Sequence, residues 1–94
     1  MTEKVIENCE AVNISASAAV ATGSGSLLGI FVASASGSPT VKVWGNNAAS
    51  GNIIVNTFTP VAGTWYPMPA RFGPGCYISI GGTVDLTAFL NRNG

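Results

Sequence analysis

Clusters of glycine, serine, asparagine and proline interrupt this chain roughly every ten residues, and that spacing leaves little room for a helix of ordinary length. They stand at residues 22–26, 34–39, 45–52 and 81–82, with three prolines and three glycines spread over residues 61–75. Between them lie short runs of β-branched and aromatic residues, the composition of strands.

The runs differ in pattern. Residues 13–22 (NISASAAVAT) alternate, with Ile14, Ala16, Ala18 and Val20 on one face and Asn13, Ser15 and Ser17 on the other. Residues 27–33 (LLGIFVA) are apolar on both faces, as in a central strand, and Gly29 inside them marks a bulge or a close backbone approach. Residues 40–44 (TVKVW) form a strand expected to pair with 27–33 as a hairpin across the loop 34–39. Residues 53–59, an edge strand over 66–72, and residues 76–80 and 83–90 joined by a Gly81-Gly82 turn complete the set. Residues 3–12 admit a short helix or a strand; weak helix formers favour the extended form. The expected fold is all-β: a small antiparallel β-sandwich, jelly-roll-like, of six to eight short strands. It is one domain overall, with an extended N-terminal arm or first strands at residues 1–22 and a β-sandwich body at 23–94. The expected core is Leu28, Ile30, Val32, Val41, Val43, Ile53, Val55, Phe58, Ile78, Ile80, Leu86 and Ala88.

Charge is distributed unevenly. Glu3, Lys4, Glu7 and Glu10 fall in the first ten residues, and only Lys42, Arg71, Asp85 and Arg92 in the rest. A neutral body with so few charges is poorly suited to remaining apart from its neighbours, and suits packing against copies or a larger partner. Four scattered basic residues with zero net charge argue against nucleic acid and against an anionic membrane surface. No 18-residue apolar block exists to span a bilayer. The acidic start, MTEKVIENCE, is unlike a signal peptide, which points to synthesis in a cytoplasm. Cys9 and Cys76 read as free, partly buried thiols, with a bridge as the alternative.

The residue types of catalysis are missing. There is no histidine, and Asp85 is the sole carboxylate outside the first ten residues. No nucleophile–base pair, carboxylate pair, phosphate loop or metal set is expected, so the chain reads as neither an enzyme nor a cofactor binder. Interaction is the remaining role. Trp44, Trp65, Tyr66 and Phe72 are candidates for an interface or a core, with sugar stacking as the alternative. Arg71 is a candidate to pair with Asp85 or with a neighbouring subunit's carboxylate, and Glu3, Val5, Glu7 and Glu10 are candidate contacts of the arm.

Residues 25–32 (GSLLGIFV), 41–44 (VKVW), 52–55 (NIIV), 58–69 (FTPVAGTWYPMP), 75–83 (GCYISIGGT) and 86–90 (LTAFL) together resemble small virion structural proteins of tailed bacteriophages. A "GLLGGxxV" strand, a "TPxAGTxYPLP" crossing and a "GLYxTIGGT" hairpin recur in that family. The resemblance covers residues 23–90. It implies a β-sandwich protein of the virion that decorates or cements the capsid shell. Its partners would be the major capsid protein and copies of itself, with a homotrimer at symmetric positions. Alternatives are a tail, fibre or adaptor module, or a carbohydrate-binding adhesive module.

Overall fold

The computed structural model describes residues 9–92, apart from the Arg92 side chain. They form one antiparallel sheet of six strands with no helix: β1 (Cys9–Ile14), β2 (Ala18–Thr22), β3 (Gly25–Trp44), β4 (Ile53–Phe58), β5 (Thr64–Phe72) and β6 (Gly75–Arg92). Two strands, β3 and β6, are long, and they pair with each other from Gly25↔Arg92 to Trp44↔Tyr77. The other four border this pair in two sets. β1 lies along the C-terminal half of β6 and β5 along the N-terminal half of β3. β2 lies along the other half of β6, and β4 along the other half of β3. The sheet thus has two halves, each four strands wide: β1-β6-β3-β5 (half A) and β2-β6-β3-β4 (half B).

The halves meet at a bend that the chain builds from its turn residues. Between the pairs Ser36↔Thr83 and Thr40↔Gly81, three residues of β3 oppose Gly82 alone. Gly37, Ser38 and Gly82 all have positive φ (67°, 56° and 71°). A Cβ on Gly82 would lie 2.6 Å from the Gly37 carbonyl oxygen, and one on Gly81 would run into Thr40 Oγ1. Extra residues of this kind bend a strand pair without ending it. The residues 34–39 and Gly81-Gly82 therefore do not reverse the chain, as the sequence reading expects; they turn both strands together. The expected hairpin of 27–33 with 40–44 is absent, because both segments belong to β3 and pair with β6. Two long strands replace four of the expected short ones.

One core draws on both halves. Leu27, Ile30, Val32, Val84, Leu86, Ala88 and Leu90 come from half A, and Val41, Val43, Cys76 and Ile78 from half B. Val20 and Ala21 of β2 and Met68 and Phe72 of β5 join them. No polar or charged residue is buried among the described residues. Two expected core residues lie elsewhere. Ile53 is exposed at the start of the outer strand β4, and Leu28 is only half-buried. Residues 9–22 of the expected arm are strands of the sheet, interrupted at Ser15-Ala16-Ser17 as they pass the bend. There Ser17 Oγ accepts the Ile80 N–H at 2.7 Å, serving a backbone donor that neither β1 nor β2 reaches.

Candidate functional site

The outer face of half A carries an apolar cluster beside Thr87 and Asn13, and a register fault creates it. Leu27 pairs with Leu90 and Gly29 with Phe89, which leaves Leu28 without a partner on β6. This single-residue bulge inverts the alternation of β3. Leu27 points inward with Ile30 and Val32, whereas Leu28 turns outward with Phe31. Strict alternation counted back from Val32 places Leu28 inside, which is why the sequence reading assigns it to the core.

Gly29 then lets an aromatic ring lie on the backbone. A Cβ there would stand 2.7 Å from Trp65 Cη2 and 2.9 Å from Cζ2. The Trp65 indole, brought by the edge strand β5, covers Gly29 and meets the Phe89 ring edge-on, with centroids 5.6 Å apart at 68°. β5 pairs with β3 only, and it carries Pro67 and Pro69 as an edge strand tolerates. Together Cys9, Leu28, Phe31, Trp65 and Phe89 line an open groove of about 490 Å³ with no polar surface. Trp65 is 45% exposed and Phe31 39%.

Polar residues bound this face at both ends. At one end Cys9 pairs with Asn91, Asn91 with Ser26, and Ser26 with Arg71. At the other, Asp85 pairs with Ser34 and its Oδ1 accepts Asn13 Nδ2 at 2.7 Å. Arg71 and Asp85, considered as a pair from the sequence, do not meet within the chain. They stand at opposite ends of the apolar face.

The outer face of half B is chemically different. Lys42 Nζ sits 4.3 Å from the centroid of the Trp44 ring, and Trp44 Nε1 donates to Ser79 Oγ at 3.1 Å. One ring face that a sugar would stack on is therefore occupied by the ammonium.

The remaining candidate residues scatter. Phe72 is 6% exposed and belongs to the core, not to an interface. Tyr66 is half-buried against that core; its Oη accepts the Val61 N–H at 2.9 Å and its ring lies 5.0 Å from Phe58. Glu10 is exposed on β1, while Glu3, Val5 and Glu7 lie outside the described residues. Leu28, Phe31, Phe89 and Cys9 were not among the candidates; the Gly29 next to a run apolar on both faces is the signal that marks them.

Among the described residues no three His, Cys, Asp or Glu side chains cluster as metal ligands. Cys9 and Cys76 are free thiols in different halves, and burial pushes the Cys76 thiol up to about 11. The groove itself offers an apolar contact surface. Comparison with protein-family models, with curated proteins and with solved structures finds no match.

Proposed function

We propose that the chain is a structural protein of a tailed-phage virion, one that decorates or cements the capsid shell by contact with major capsid subunits and copies of itself. The observation that carries the reading is the apolar cluster on the outer face of half A, where Leu28, Phe31, Trp65 and Phe89 are set on a four-stranded platform. Contiguous apolar surface of this kind on a small soluble domain marks a site of association. The resemblance of residues 23–90 to virion structural proteins supplies the context, and the nearly uncharged body supports a life among close neighbours.

Quantitative mass spectrometry of purified virions tests the assignment. Hundreds of copies per particle are expected of a shell protein. Six to twelve copies would move it to the tail or neck, and its absence from virions would end the phage reading. Shells lacking the protein are expected to take it up when it is added back.

A further inference from the structure

We infer that the apolar face of half A is covered by the same face of a second copy of this chain, related by a two-fold axis. The inference takes the association site from the proposed function but does not require a phage shell. Two features choose the occupant. The groove has no polar surface, so it offers nothing to a glycan or a charged peptide and matches another apolar face. The charges at its ends are opposite. Arg71, paired with Ser26 and through it with Asn91, and Asp85 are separated by six residues of β6 (91 − 85), about 20 Å at ~3.3 Å per residue. Asp85 is held by a neutral side chain, Asn13, and no ion pair of Arg71 forms among the described residues.

An isologous contact turns this polarity to use. A two-fold axis in the plane of the contact can superpose apolar centre on apolar centre while setting Arg71 of each copy toward Asp85 of the other, forming two ion pairs. A two-fold axis along the strands would instead set like ends against each other. The face is four strands wide and about 20 Å long, which gives roughly 380 Å² per copy at strand spacing. The total for two copies, roughly 760 Å², is below the standard size of specific interfaces, so a weak dimer that forms in the high-micromolar range is expected. A two-fold contact gives even-numbered assemblies in place of the homotrimer that the sequence reading expects.

Light scattering and sedimentation equilibrium of the isolated full chain test this. The expected species at high micromolar concentration has twice the 9.5 kDa chain mass and dissociates on dilution. Phe31→Lys, at an exposed position, should yield a monomer with an unchanged circular dichroism spectrum. Arg71→Asp alone should weaken association about three- to tenfold, and Arg71→Asp with Asp85→Arg should recover most of that loss. A chain that stays monomeric, forms trimers, or dimerises regardless of Phe31→Lys overturns the inference, as does a double variant no better than the single. If the chain is monomeric and Phe31→Lys abolishes uptake by shells, the face belongs to the shell: the second copy is then excluded while the decoration reading stands. A dimer absent from virions gives the converse.

Discussion

The two halves of the sheet share their central strands, yet they present opposite chemistry outward. In half A the outer face of β3 and β6 carries Leu28, Phe31 and Phe89 under the Trp65 indole. In half B the same two strands carry Lys42, Trp44 and Ser79, tied to one another by a cation–π contact and a hydrogen bond. Both halves use an outward tryptophan. Trp44 has its indole N–H satisfied and a cation on its ring, whereas Trp65 rests on bare backbone and a phenyl edge. Strand order and depth of burial therefore do not set the two faces apart. What separates them is the side chains they present, an apolar cluster on one and a cation–aromatic–hydroxyl set on the other.

The largest expected effect breaks the connection between the halves. Gly82→Val combines a positive φ with a collision against the Gly37 carbonyl, and should lower stability by about 4 kcal/mol, measured by urea denaturation. A loss below 1 kcal/mol would mean that the bend relaxes freely. Next are core truncations on either side of it. Leu90→Ala in half A and Ile78→Ala in half B should each cost about 3 kcal/mol, since both side chains are fully buried. Because one core spans the bend, each variant should show one cooperative transition; two transitions in either would make the halves separate units.

The thiols provide a comparison by pH. The folded-state pKa of Cys76 is about 11, above its ordinary 9.0, so the folded state holds that proton more tightly than the unfolded chain does. The resulting stability is present below pH 9 and falls as pH rises from about 9 to 11, whereas Cys76→Ala should flatten that decline. A disulfide-exchange reagent at pH 8 should titrate Cys9 fast and Cys76 only on unfolding. A smaller effect sharpens the contrast of faces. Trp44→Ala should lose about 1–2 kcal/mol of stability without changing association, the reverse of Phe31→Lys. The smallest concerns Asn91, whose buried Oδ1 has no hydrogen-bond partner among the described residues. Asn91→Leu should be neutral or stabilising by up to about 1 kcal/mol, and a clear loss would reveal a polar partner at that atom.

Local pattern made much of this fold legible. The all-β character of the described residues, a strand read at 53–59 and found at Ile53–Phe58, and a proline-bearing edge strand read at 66–72 and found at Thr64–Phe72 all follow from runs read one at a time. Ile30, Val32, Val41, Val43, Ile78, Leu86 and Ala88 are in the core as their alternation requires. What failed depends on pairing. The residues 34–39 have the composition of a reversing loop, and only their position opposite Gly82 makes them a bend. Leu27 and Leu28 are identical in composition; the bulge that sends one in and the other out is defined by the register with Leu90 and Phe89. Of the candidate contacts, Trp65 lies on the apolar face and Arg71 at its margin, while Phe72 belongs to the core because it follows Tyr66 and Met68 on the inward side of β5.

The register of the long pair also sets an order of events. At its half B end, Trp44 meets Tyr77 across 33 residues; at its half A end, Gly25 meets Arg92 across 67. Closing the longer loop carries the greater entropy, so zippering from the nearer contacts outward is favoured. Amides around Val43 and Ile78 should then be protected from hydrogen exchange before those of Leu27 and Leu90 in a pulse-labelling experiment, and simultaneous protection would refute the order. The apolar face would then come into being in the last step, when Phe89 arrives beside Gly29. A partly folded chain would have no finished surface with which to capture a neighbour, so competence to associate would be timed by the far end of the β3–β6 pair.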